Sequence, residues 1–210
     1  MDITYLFDPL CGWCYGASDA LERLSRMSGV SLDLAPTGLF AGEGARPMDE
    51  SFAAYAWQND QRIARLSGQP FSDTYRRQVL GATGSMFDSA PVTLAIIAVG
   101  LTEPGQEMAA LKALQQARYV DGLNNSDLGV VASTLAEAGF ADVAKRLRAP
   151  DGQLMDAYRS RIDAARRLMT EFRIIGVPAL VVSRDGRRRL LPSSTLFGGF
   201  EALVSQLEAG

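Results

Sequence analysis

The chain holds only two cysteines, Cys11 and Cys14, and they stand two residues apart. They lie where an apolar run, Ile3 to Phe7, gives way to a helix-like pattern, in the stretch Asp8-Pro9-Leu10-Cys11-Gly12-Trp13-Cys14-Tyr15-Gly16. A Cys-x-x-Cys pair between a strand and a helix limits the fold to one that can seat two sulfurs in a first helical turn. A thiolate there faces unpaired backbone N–H groups and the positive end of the helix dipole. Such placements lower cysteine pKa values from about 8.5 into the range of roughly 3.5–7.5. Cys11 is therefore expected to attack and Cys14, on the same side of the turn, to resolve.

Other uses of the pair are weaker. A structural disulfide across so short a loop removes little chain entropy, and no second pair exists to extend it. A structural zinc site calls for four Cys or His ligands, and the chain has no histidine, so no metal is expected. Two buried thiols acting as small hydrophobes are a third possibility. The missing histidine also removes Ser-His-Asp and Cys-His catalysis and the usual near-neutral general base.

The flanking sequence reads as strand–helix–strand. Thr4 to Phe7 form a buried strand, Gly12 to Met27 carry apolar residues at helical spacing, and Ser31 to Ala35 alternate as a second strand. Two parallel strands joined by a right-handed crossover follow, with the cysteines at the carboxyl end of the first strand. Gly38 to Pro47 is a loop. Helical patterns then run over Asp49–Leu66, Phe71–Leu80, a segment opened by Ser89-Ala90-Pro91, Gln106–Val120, Ser126–Ala138, Phe140–Leu147 and Leu154–Phe172. Trp57, Tyr119, Met155 and Met169 read as packing residues within this block. Strand character returns at Val177–Val182 and Arg187–Leu191, joined by an Asp185-Gly186 turn, and Phe200–Leu207 closes the chain as a helix. The cluster Arg184, Arg187, Arg188 and Arg189 reads as a solvated hairpin edge rather than an anion site.

The expected fold is α/β, with a four-stranded mixed sheet assembled from the two ends of the chain and a large all-helical insertion. Residues 1–45 and 174–210 form the discontinuous sheet domain and 46–173 the insertion. A chain of 210 residues that is 47% hydrophobic suits one such unit. Its net charge of −3 gives no general attraction to nucleic acid or anionic membrane. No basic start, long apolar h-region or membrane-length run is found, so a cytoplasmic product is expected. In a reducing compartment, a lone Cys pair is more often catalytic than structural.

Cys11-Gly12-Trp13-Cys14 after a first strand, a helical insert, and Gly176-Val177-Pro178 opening a late strand together resemble the DsbA-like branch of the thioredoxin superfamily. The nearest resemblance is to cytoplasmic FrnE-like disulfide isomerases. Asp88-Ser89-Ala90-Pro91 and Gln115-Gln116-Ala117-Arg118-Tyr119-Val120-Asp121-Gly122 resemble segments of that family. The likeness implies a thioredoxin-like fold and a thiol–disulfide oxidoreductase. Protein or peptide thiols and disulfides would be its partners, with glutathione as a candidate redox partner and no tightly held cofactor.

The same likeness implies that Pro178 is cis and packs beside the cysteines, with Val177 and Pro178 shaping a substrate groove. Read from the residues alone, a strand-opening Pro fits either a cis kink or a trans edge position. Gly12 and Trp13 would tune the thiolate. The Gly-Trp dipeptide departs from the Pro-His of strongly oxidising members, so powerful oxidase behaviour is not carried over. The alternative within the fold is a glutathione-dependent transferase or isomerase of the kappa-class or 2-hydroxychromene-2-carboxylate isomerase type. Its single Ser or thiol sits poorly with a second cysteine.

Overall fold

The computed structural model describes residues 1–209, so the expected terminal segment 174–210 is seen as far as Ala209. Strand β1 (Asp2–Phe7) pairs in parallel with β2 (Ser31–Pro36), and the two are linked through helices α1 (Gly12–Gly16) and α2 (Ser18–Ser25). Next come the two-residue β3 (Arg46–Pro47), α3 (Glu50–Ser67), α4 (Asp73–Tyr75) with a π-helical turn over Arg76–Leu80, and β4 (Met86–Phe87). Helices α5 (Ala90–Thr102), α6 (Glu107–Tyr119), α7 (Leu128–Glu137), α8 (Ala141–Arg148) and α9 (Gly152–Glu171) complete the helical block. The chain ends with β5 (Ala179–Arg184), β6 (Arg187–Leu191) and α10 (Phe200–Glu208).

The main sheet has the order β2-β1-β5-β6, with β1 antiparallel to β5 and β5 antiparallel to β6. This is the mixed four-stranded sheet expected from the two chain ends. The alternation along β1 divides two cores. Ile3, Tyr5 and Phe7 join the large cluster, which continues through α2, α10 and the buried helices α5 to α8. Leu6 faces the other way with Ala35, Ala179 and Val181, under Ala165, Leu168 and Met169 of α9. Helix α5 is apolar around its whole circumference and is correspondingly enclosed.

Several boundaries differ from the sequence reading, each for a local reason. The helix expected from Gly12 to Met27 is broken at Ala17. Gly16 there has no side chain, and Ile63 and Phe197 occupy the space beside it. The Phe71–Leu80 helix starts at Asp73, because the Ser72 hydroxyl accepts the Tyr75 N–H at 2.9 Å. The strand expected from Val177 starts at Ala179, because Val177–Pro178 is cis and the proline has no N–H for the ladder. The β3–β4 pair, two residues on each side, is too short for a period-2 pattern to show, and β3 falls at the end of the expected Gly38–Pro47 loop.

Asp185 and Gly186 take the positive φ values, 50° and 75°, that their turn calls for. The arginine cluster is partly engaged. Arg188 donates to Glu171 at 2.6 Å, and Arg189 donates to the Gln206 and Leu207 carbonyls at the end of α10. A cation at a helix C-terminus is the favourable placement. Met155 and Met169 are half-buried, Met169 against the smaller core. Trp57 is also half-buried, with the Arg76 guanidinium 5.1 Å from its ring.

Candidate active site

Register places the site. Leu6 of β1 pairs with Ala179 of β5, so the loop after β1 and the residues before β5 meet at one end of the sheet. Cys11 caps α1 with extended backbone angles (φ −80°, ψ 117°), and its own N–H is held by the Asp8 carbonyl at 3.0 Å. The Cys11 sulfur lies 3.6 Å from the Val177 carbonyl oxygen, to which its thiol donates. Pro178, next in sequence, is buried and cis. The structure thus brings Cys11, Val177 and Pro178 together.

The two sulfurs are not equivalent. Cys11 keeps 8% of its surface exposed and lines a cavity of about 150 Å³ with Trp13, Phe40, Tyr55, Asp60 and Tyr75. Cys14 is 1% exposed. Burial, reinforced by the neighbouring Cys11 sulfur, pushes the Cys14 thiol well above its usual range. The two cysteines are not joined in a disulfide. Trp13 packs edge-on against Phe197 at 5.3 Å, with the Arg62 guanidinium 5.6 Å from its ring. Gly12 is the closest approach of the helical block. A Cβ there would collide with the Asp60 carboxylate and stand 3.2 Å from Ile63 Cδ1.

Four further residues shape the site, and the sequence marks none of them as a site residue. Asp8 is wholly buried and acts as a clamp. Its carboxylate accepts from Leu10 N at 2.9 Å, Phe40 N at 3.0 Å and the Ser89 hydroxyl at 2.7 Å. Burial raises its pKa and these bonds hold it back.

Asp60 of α3 is 4% exposed and accepts from the Tyr75 hydroxyl at 3.0 Å. Burial raises its carboxyl to about 7, against the pull of Tyr75 and Arg118. Arg118 of α6 is 1% exposed and sits over the rings of Phe87, Tyr75 and Tyr119 at 5.3, 5.7 and 5.8 Å. Its Nε and Nη1 have no hydrogen-bond partner. Tyr119 is a core residue as expected, and its hydroxyl also donates to the Leu10 carbonyl at 2.8 Å, beside the first cysteine. The sequence signal for the group is faint: one acid just after a strand, and one acid and one arginine within helices.

Among the described residues, no cluster of three or more His, Cys, Asp or Glu is placed to hold a metal ion. No described helix is long and apolar enough to cross a membrane.

No curated protein sequence matches the chain. Among solved structures, the cytosolic disulfide reductase DsbM from Pseudomonas aeruginosa is 32% identical, with all of both chains covered and a TM-score of 0.86. A second structure, of DsbM with GSH, is 30% identical over 100% of this chain and 98% of that one, with a TM-score of 0.85. A 2-hydroxychromene-2-carboxylate isomerase superposes with a TM-score of 0.64 over 99% and 96% of the two chains, but at 17% identity, so this likeness shows the fold alone. The family model described as a DSBA-like thioredoxin domain matches residues 2–204. Because that match takes in both sheet-forming ends and everything between them, the chain belongs to the DsbA-like thioredoxin-domain family of disulfide oxidoreductases.

Proposed function

We propose that the chain is a thiol–disulfide oxidoreductase working through Cys11 and Cys14, and that it runs as a disulfide reductase. The observation that carries this reading is the asymmetry of the sulfurs. Cys11 stands at a helix start, on a cavity and beside the Val177 carbonyl, while Cys14 is almost fully buried. Cys11 thiolate attacks one sulfur of a substrate disulfide, forming a mixed disulfide and releasing the other sulfur as a thiol. Cys14 then displaces the bound sulfur, leaving Cys11–Cys14 oxidised and the substrate reduced. A thiol donor returns the pair to the dithiol. The GSH-bound DsbM structure supports glutathione as that donor, and its cytosolic origin supports a cytoplasmic setting.

Val177 and Pro178 present backbone to an extended substrate next to the attacking sulfur, where strand addition supplies main-chain hydrogen bonds. Gly12 and Trp13 set the surroundings of the sulfur. The block 46–173, carried as an insertion by a thioredoxin-like unit formed of 1–45 and 174–210, walls one side of the groove.

The test is insulin disulfide reduction with a glutathione donor. Cys11→Ser abolishes turnover, and Cys14→Ser accumulates a mixed disulfide at Cys11 that mass spectrometry detects. Full turnover by both variants would overturn the reading.

A further inference from the structure

Thiol–disulfide exchange needs a proton taken from the attacking thiol and one returned to the departing sulfur. At neutral pH the usual carrier is histidine, and this chain has none. One other group near Cys11 is placed for the task. Asp60 lines the same cavity as Cys11. Its Oδ1 faces the backbone of Gly12, the residue next to the sulfur, so closely that no Cβ fits between them. Its Oδ2 takes the Tyr75 hydroxyl, while Oδ1 has no protein hydrogen-bond partner among the described residues. It is thus a buried carboxylate, anchored through one oxygen, with the other against Gly12 on the cavity that Cys11 also lines.

From this arrangement we infer that Asp60 is the proton carrier of the exchange step at Cys11. Two negative charges on the lining of one small cavity repel. When Cys11 ionises, its proton passes to the Asp60 carboxylate, leaving a single charge, on sulfur. The Cys11 thiolate then forms a bond to one sulfur of the disulfide and the old S–S bond breaks. The departing thiolate takes the proton from the Asp60 carboxyl. Dithiol proton and electrons are accounted for, Asp60 ends as it began, and no further co-reactant is used.

The surroundings set Asp60 for this work. Burial raises it to about 7, within reach of a thiol at neutral pH. Tyr75 from α4 and the Arg118 guanidinium from α6 both pull it down. The remaining titratable groups facing this pocket are Cys11, Tyr55 and Tyr119. Arg118 stacks on Tyr75 and lacks partners for two of its nitrogens, so its charge is not spent on a carboxylate within bonding distance.

This inference rests on Cys11 being the attacking thiol, and the test separates the two. In a Cys14→Ser background, the single-turnover rate of Cys11 with oxidised glutathione is followed from pH 5 to 9. The unaltered Asp60 protein shows an inflection near pH 7. Asp60→Asn, nearly isosteric, loses that inflection and slows exchange at pH 7 at least tenfold. Alkylation by iodoacetamide, whose leaving iodide needs no proton, slows less than threefold. Tyr75→Phe removes a bond that holds Asp60 down, so the inflection moves upward, a shift that a merely structural role does not produce. If Asp60→Asn keeps the inflection with a rate within twofold, or Tyr75→Phe leaves it in place, Asp60 is not the carrier. Loss of all exchange in Cys11→Ser keeps the attacking thiol assigned in either case.

Discussion

Two walls flank the Cys11 sulfur, and they are built from different material. The wall from the chain's ends is largely backbone: the first turn of α1, the Val177 carbonyl and the Asp8-clamped loop. The wall from the helical block is side-chain charge and aromatic surface: Asp60, Tyr75, Arg118 and Tyr119. The first kind of wall places the sulfur mainly with main-chain groups, which a side-chain substitution does not delete. The second kind sets a local proton affinity, and single substitutions can retune it.

The contrast can be broken at three points. The largest expected effect is on the pH dependence of stability. Because the folded protein holds Asp60 near 7, above the usual carboxylate range, the fold favours its neutral form. Stability from this group is full below the ordinary carboxylate pKa of about 4 and is lost as pH rises through about 7. Asp60→Asn stays neutral throughout. It should flatten denaturation midpoints between pH 4 and 8 by an amount on the order of 4 kcal/mol. Asp8, also raised by burial, contributes a slope of the same sign that the variant keeps. A variant as pH-dependent as the parent would mean the charged wall is not charged in the way described.

The next effect tests whether the walls touch. Gly12→Ala puts a methyl where the Asp60 carboxylate stands. Overpacking of this kind costs about 1–3 kcal/mol, and it should also displace the Asp60-linked inflection in the exchange profile. Urea denaturation and the same single-turnover titration read both. An alanine tolerated with neither change would separate the two walls.

The smallest effect is Tyr119→Phe, which deletes the hydroxyl donated to the Leu10 carbonyl. A loss of about 1 kcal/mol is expected, measured by thermal denaturation, with the cysteine chemistry retained because the ring stays stacked on Tyr15 at 4.5 Å.

The same division decides what the sequence could reveal. The backbone wall is local: a strand, a breaker, two cysteines and a helix start are consecutive residues, and period and spacing expose them. Even the distant Val177-Pro178 was found, but through its likeness to a family rather than through any periodic signal. The side-chain wall comes from three separate helices. Asp60 and Arg118 each look like a polar residue on an amphipathic surface, and only packing shows that these two positions are on the covered side of their helices. The π-helical turn over Arg76–Leu80 just after Tyr75 likewise depends on how the block closes around it. The arginines of the β5–β6 hairpin show the reverse case. They read as a solvated edge, while Arg189 in fact finishes the end of α10.

The partner that Cys11 meets at position 177 is a carbonyl, not a side chain. Every amino acid carries that oxygen, so the contact is indifferent to mutation at the position that makes it. Residue 177 can exchange its side chain while the oxygen that faces the Cys11 sulfur stays in place.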